Sequence, residues 1–407
     1  MTKIENKKTL LQIIPSMEMG GAEFGTLEIS SYMKKKGWNV MVASSGGSLV
    51  QILNFRKIKH IKLLLNSKNP FIIFINIFLL AWVIKKNKIK IVHVRSRAPA
   101  WSTYYACSML KGIKLVSTIH GAYSKQNFLK KFYNSIMLKS SKIIAISKYV
   151  KNYLINNYKF TKRELEKITV IPRGVDPDKF NSSNVDSQRL FSLSKQWDLP
   201  DGIPIILFPS RIAPFKGHKT LLKAINLLKK ESKNKFICIM SGLLRENSKY
   251  ESEINNYIKE NNLMDYIKFP GPCRDMPAAY KICDIVVSPA DKPEGFGRII
   301  IESQAMKRPV IASAHGGSLE LIKNYKISKR KIEQIITIPR GVDLNKFDPK
   351  KIDSKRLFKI SNQWLVPDGA LVILFPSRLS CLLTCSTLDW NPSRRLIPAE
   401  NLANSSI

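Results

Sequence analysis

Apolar residues recur along this chain in two alternating rhythms. Short runs of aliphatic and β-branched residues end at glycine, proline or serine and read as strands. Between them lie longer stretches whose apolar positions repeat at three and four residues, as on one face of a helix. The first series predicts strands at 9–14, 39–44, 89–94, 114–119 and 142–146, with helices over 23–36, 70–86, 98–111, 125–138 and 148–156. A polar connection runs from 171 to 202 and carries helical spacing at 187–196. A second series predicts strands at 205–208, 236–240, 266–269, 285–288 and 309–312, with helices over 219–230, 249–261, 276–282 and 296–306. Strands separated by helices pair in parallel and are covered on both faces. The pattern therefore predicts an α/β chain of two Rossmann-like, doubly wound domains, 1–170 and 171–322, facing a common cleft, with ligands beyond the carboxyl ends of the strands.

One helical stretch departs from a two-faced pattern. Residues 71–84, FIIFINIFLLAWVI, are apolar nearly all round, preceded by Asn69 and Pro70 as cap and first-turn residues and followed by Lys85 and Lys86. The run is shorter than a membrane span needs, so it reads as a buried or interfacial helix. The N-terminal apolar run is too short for a signal peptide. Length and composition agree with two domains: 407 residues, 44% hydrophobic. Lys+Arg number 67 against 30 Asp+Glu, a formal charge of +37. The excess reads as spread over the chain, compatible either with the codon bias of an A/T-rich genome or with weak attraction to an acidic membrane surface. No nucleic-acid module is visible, so a nucleic-acid partner is not expected. Six cysteines have no zinc spacing and read as reduced structural thiols in a cytosol.

The most informative stretch is 285–317, which reads strand, glycine-rich loop, helix, strand, glycine pair. Glu294 lies in the loop with Gly295, Phe296 and Gly297, and Glu302 projects from the helix that follows. Free backbone N–H groups beside two carboxylates suit a phosphate next to sugar hydroxyls. At the first strand of the same domain, Arg211 and Lys216 flank a strand-to-helix loop, where two fixed cations can neutralise a diphosphate without a metal. In the first domain Gly20-Gly21 occupies the corresponding turn, and His120-Gly121 ends a strand at the ligand face, with substrate contact and ordinary packing both open for His120. His93 reads as a packed strand residue, Asp275 as a helix cap, and Asp176-Pro177-Asp178 as a structural turn and not a metal-binding D-x-D.

In order, GGAE near the start, HG after a strand, PRGVD at the domain switch, SR with KG five positions on, and PEGFG followed by Glu302 resemble family 4 glycosyltransferases across four-fifths of the chain. That resemblance implies the GT-B fold and a retaining transfer of a sugar from a nucleotide-sugar donor, with no cofactor. It implies that Arg211 and Lys216 bind the donor diphosphate and that Glu302 accepts from the ribose hydroxyls. It further implies that Glu294 holds a sugar hydroxyl, that Gly295, Phe296 and Gly297 offer backbone contacts, that Gly20 and Gly21 touch donor or acceptor, and that His120 sits at the reacting side. Such relatives build lipopolysaccharide core or surface polysaccharide, implying a lipid-linked or polysaccharide acceptor and a cytoplasmic enzyme at the inner face of the membrane.

The end of the chain breaks the pattern. Residues 155–211 and 322–378 align without a gap and are identical at about three positions in five. The second copy, 323–378, stops at Ser377-Arg378 without a counterpart to Lys216-Gly217, and 379–407 is an anomalous tail. A fusion or duplication is expected to leave the second domain incomplete, with 324–407 not reproducing its closing elements, and to put activity in doubt.

Overall fold

The computed structural model describes residues 8–123, 127–232, 234–242, 249–324 and 335–338. The chain divides into two units after Arg173. The first contains β1 (Thr9–Ile13), α1 (Gly21–Lys35), β2 (Asn39–Ser44), α2 (Val50–Phe55), β3 (Lys59–Lys62), α3 (Pro70–Lys86) and β4 (Ile91–Val94). It continues with α4 (Arg97–Ser108), β5 (Lys114–Ile119), α5 (Phe128–Ser135), β6 (Lys142–Ala145), α6 (Lys148–Asn157), α7 (Lys162–Leu165) and β7 (Ile168–Val170). All strand pairs are parallel, in the order β3-β2-β1-β4-β5-β6-β7. The reversal of strand order between β1 and β4 opens a crevice at their carboxyl ends, and that is where Gly20 and Arg95 emerge.

The second unit contains α8 (Ser187–Gln196), β8 (Ile205–Pro209), α9 (His218–Glu231), β9 (Ile237–Ser241), α10 (Lys249–Glu260), β10 (Ile267–Lys268) and α11 (Met276–Ile282). After these come β11 (Ile285–Ser288), α12 (Arg298–Ala305), β12 (Val310–Ser313), α13 (Gly317–Asn324) and β13 (Ile335–Ile338). Its sheet, β10-β9-β8-β11-β12-β13, repeats the same order with the switch between β8 and β11. The loops after these two strands carry Lys216 and Glu294.

Each sheet is two-sided, so its central strands are buried over their whole length: β1 and β9 have no exposed residue. In the second unit Phe208, Leu222, Ile225, Cys238, Met240, Ile254 and Val287 close one continuous core. In the first, Leu10, Ile14, Val40, Val42 and Leu53 do the same beneath α1 and α2. Asp275 caps α11, its carboxylate accepting from Ala278 N at 3.1 Å, and Asn69 caps α3 with Pro70 at the first helical position.

Elements α2, α7, β7 and α13 were not expected from the sequence pattern, and two further strands were missed. Strand β3, KHIK, lies at the sheet edge and carries a lysine at each end, so it has no apolar alternation to announce it. Strand β13 lies inside the repeated segment and pairs with β12 from Val310↔Ile335 to Ser313↔Ile338. The second copy therefore contributes one strand, 335–338, to the second sheet. The rest of the 323–378 copy past Asn324, the tail 379–407, Cys381 and Cys385 lie outside the described residues.

Candidate functional site

In the first unit three cationic or titratable groups gather at the carboxyl edge of the sheet. Arg95, one residue past β4, is 3% exposed and donates through Nε to Oε1 of Gln12 on β1 at 2.8 Å. Gln12 in turn donates to the Thr26 carbonyl of α1 at 2.9 Å. Burial, reinforced by the nearby Arg173 charge and opposed by Glu28, brings the Arg95 guanidinium down to about 9. His120 follows β5. Its Nδ1 accepts from Nη2 of Arg173 at 2.7 Å, and Arg173 also donates through Nη1 to the Gly21 carbonyl at the start of α1. His93 is buried on β4 with Nε2 2.7 Å from Thr118 Oγ1, the packed strand residue expected.

Gly20 and Gly21 form the turn into α1, with Gly20 as its cap in extended conformation. The Glu23 carboxylate fills the space beside Gly20, and the Arg173 guanidinium lies against Gly25, where a Cβ would stand 3.2 Å from Nη1. Small residues on this side of α1 let Arg173 lie flat on the first turn. His120 is held neutral, well below its usual range, by burial first and then by the charges of Arg173 and Arg95 and by His93.

In the second unit Lys216 closes a short 3-10 turn, Pro214–Lys216, after β8, and its ammonium pairs with Oε1 of Glu294. Both side chains are largely buried, at 22% and 13% exposed. Arg211 is exposed, and its guanidinium and the Lys216 ammonium lie 5.7 and 5.8 Å from the Phe215 ring centroid. Gly217 joins this turn to α9 with φ +86°, and a Cβ there would run into the Pro289 carbonyl, so only glycine lets the β8 loop lie against the β11 loop. From the other side Gly317 N donates to the Glu294 carbonyl at 2.8 Å. Gly297, left-handed at φ +97°, is the N-cap of α12 and has no side chain to occupy the helix start; Phe296 packs inward at 6% exposed.

Glu302, 9% exposed on α12, has both oxygens engaged: Oε2 accepts from the Tyr280 hydroxyl at 2.9 Å and Oε1 from Arg298 Nε at 3.0 Å. Burial raises its carboxyl above the ordinary value against the pull of Arg298, Tyr280 and Lys179. Lys179 also borders a cavity of about 570 Å3 lined by Asp178, Asn184, Arg189, Arg274, Asp275 and Pro277. There Arg189 grips Asp275 through two bonds, of 2.8 and 2.7 Å.

Of the residues singled out by sequence, the structure brings Lys216 to Glu294 and sets Arg211 beside the same aromatic ring. It places Glu302 in a separate network and joins His120 to Gly21 through Arg173. Arg173, Arg95, Tyr280 and Arg298 were not expected to take part. Arg298 stands four residues before Glu302 on one helix, a spacing visible in the sequence. Asp176 Oδ1 accepts from Asp178 N at 3.0 Å and from Lys179 N at 3.3 Å, a closed turn as expected. No cluster of metal ligands occurs among the described residues.

Residues 19–179 match the family described as Glycosyltransferase Family 4, and 191–336 match Glycosyl transferases group 1. A crystallised glycosyltransferase from Rickettsia africae ESF-5 is 40% identical, covering 82% of this chain and 84% of its own, with a TM-score of 0.69. Anabaena Alr3699/HepE in complex with UDP-glucose shares the fold at 20% identity, with a TM-score of 0.64 over 78% of this chain and 83% of its own. Among curated proteins, the D-inositol 3-phosphate glycosyltransferase of Salinispora tropica is 25% identical over 189 residues, 45% of this chain and 38% of the relative. The chain thus spans well under half the length of that relative, and 64% of the spore coat protein SA of Bacillus subtilis. With its two doubly wound sheets in the GT-B pattern, this chain belongs to the family 4, group 1 glycosyltransferases.

Proposed function

We propose that this chain transfers a hexosyl group, with retention of configuration, from a nucleotide-sugar donor to a cell-envelope acceptor, lipopolysaccharide core or surface polysaccharide. The observation that carries this reading is the Lys216–Glu294 pair in adjoining loops at the switch point of the second sheet, with Arg211 beside it. As the bond from the anomeric carbon to the diphosphate breaks, its electron pair goes to the leaving phosphate. Lys216, Arg211 and the N-terminus of α12 are the groups that stabilise this charge, so no metal is required for that purpose. The acceptor hydroxyl attacks the same face of the oxocarbenium-like carbon and gives its proton to the departing phosphate oxygen. Glu294 accepts from a hydroxyl of the sugar, Glu302 from the ribose, and His120 donates through Nε2 to the sugar. Gly20, Gly21, Gly295, Phe296 and Gly297 offer main-chain contacts. The enzyme works in the cytoplasm at the inner face of the membrane.

A screen of sugar nucleotides for slow hydrolysis by the purified chain tests this without knowledge of the acceptor. Nucleotide release that disappears in Arg211→Ala is expected. The internal duplication favours a second reading, a non-catalytic remnant; a folded protein with no release from any donor would establish that instead.

A further inference from the structure

Helix α3 is built inside out. Its covered side holds Asn76 together with Leu80, Val83 and Ile84, and Asn76 donates to the Leu64 carbonyl at 3.0 Å. Its exposed side is a continuous stripe of Phe71, Phe74, Ile75, Phe78, Leu79 and Trp82 at helical spacing, with Phe71 69% and Trp82 59% exposed. The stripe ends in exposed Lys85 and Lys86, and the Lys86 ammonium stands 4.3 Å from the Trp82 ring centroid. Helix α4 packs along α3 and extends the surface with Tyr105 and Met109, 42% and 57% exposed. Six large apolar side chains on one helical face are far more than the scattered surface leucines of an ordinary domain.

The charge around this stripe is as unusual. Between Glu28 and Glu164 there is not one aspartate or glutamate, while 26 lysines and arginines occupy the same interval. The basic excess is therefore not evenly spread, and genome composition does not explain it, because glutamate and aspartate reappear throughout the second unit. The acid-free interval runs from within α1 to the start of α7 and holds α3 near its middle.

We propose that the exposed face of α3, with its lysines, is the surface by which this chain docks onto an anionic lipid bilayer. A bilayer offers a hydrocarbon boundary and fixed negative charge together, which is what an aromatic stripe ending in lysines complements. The helix is about 25 Å long at 1.5 Å per residue, and no helix among the described residues is long and apolar enough to cross a membrane. It lies in the plane of the interface, with Trp82 and its stacked Lys86 at headgroup level. Face-to-face pairing of two copies would instead bring lysines against lysines with no acid in the interval to answer them. This docking is independent of the donor chemistry.

Co-sedimentation of the full chain with vesicles tests it, using phosphatidylcholine alone against equal parts phosphatidylcholine and phosphatidylglycerol. Binding to the mixed vesicles only, weakened by salt, with a blue shift of tryptophan emission, is expected. The triple variant Phe74→Ser, Phe78→Ser, Trp82→Ser should partition about tenfold or more weakly, and so should Lys85→Glu, Lys86→Glu. Phe191→Ser, at an exposed aromatic of α8 in the second unit, should bind as the parent does. A thermal melt confirms folding; if the triple variant fails it, the lysine pair decides. Equal binding to neutral vesicles, unchanged binding in the variants, or full competition by a soluble acidic polypeptide would overturn the proposal. So would a solution dimer that the triple variant dissociates.

Discussion

Arg173 donates through Nη2 to Nδ1 of His120 at 2.7 Å. A guanidinium has no lone pair to return, so the bond fixes the imidazole as the tautomer protonated on Nε2. The same side chain donates to the Gly21 carbonyl, tying the end of β5 to the first residue of α1. His120 Nε2 finds no acceptor among the described residues. Its N–H is thus the polar group of the ring without a partner among the described residues, and the proposed reading has it meet the sugar as a neutral donor, not as an acid or a base.

Arg173→Ala should free this ring. With one of the charges that lower it removed, His120 is expected to titrate closer to 6.5 and to sample both tautomers, while Arg95 and His93 still face it. Nitrogen chemical shifts of the ring read this directly, and donor turnover should fall roughly in proportion to the fraction of rings that lose the Nε2 donor, about twofold if half of them do. A parent His120 that already titrates near 6.5 would contradict the tautomer assignment.

The Lys216–Glu294 pair separates stability from chemistry. Lys216→Met leaves the Glu294 carboxylate largely buried and without its Lys216 partner, at a cost of roughly 1–3 kcal/mol, and removes the cation proposed to hold the diphosphate. A drop in Tm with loss of nucleotide binding is expected. Glu294→Gln leaves Lys216 with a neutral acceptor, so nucleotide binding should survive while turnover falls through the lost sugar contact. Equal effects of the two variants on nucleotide affinity would refute this division of roles.

Glu302→Gln keeps the shape of its network, with the amide oxygen accepting from Arg298, but the amide nitrogen then faces the Tyr280 hydroxyl, which donates to the carboxylate in the parent and loses that acceptor. It also relieves the burial of a carboxylate whose pKa is already raised. Melting at neutral pH should therefore change little, the relief from burying a carboxylate offsetting the acceptor lost to Tyr280. Donor affinity should fall about tenfold if the carboxylate accepts from ribose hydroxyls. Unchanged affinity would restrict Glu302 to a structural role.

Much of this arrangement is legible before any coordinates. Strands β2 and β5 fall on 39–44 and 114–119 as the alternation predicts, because buried parallel strands leave runs of apolar residues bounded by turns. The loops holding Lys216 and Glu294 follow from strand ends and glycines. Partners from distant parts of the chain are not legible: Arg173 is 53 residues from His120, and Tyr280 is 22 from Glu302. An all-apolar helix such as α3 cannot declare from sequence which side the fold will cover. The aligned runs Ile168–Val170 and Ile335–Ile338, in segments identical at about three positions in five, each form the last strand of a sheet, the seventh of one and the sixth of the other.

Acid should begin to destabilise the protein as pH falls through 6.5, above the ordinary carboxylate range. His60, His93, His120 and His218 are all lowered from 6.5 by burial, His218 to about 4 as it packs 4.6 Å from the Phe208 ring. Between pH 6.5 and about 4 the unfolded chain binds protons at these rings that the folded chain does not. Their contribution is therefore complete above 6.5 and is lost as pH falls. At 1.36 kcal/mol per pH unit, His218 alone accounts for about 3 kcal/mol over that window. Glu302 runs the other way: its raised carboxyl takes up a proton in the folded state first, so acid stabilises that one site and offsets part of the loss. Melting measured from pH 8 to pH 5 should show Tm falling below 6.5. In His218→Phe, which fills the same apolar space beside Phe208, the fall should be shallower; parallel curves for parent and variant would show that His218 does not carry the acid sensitivity.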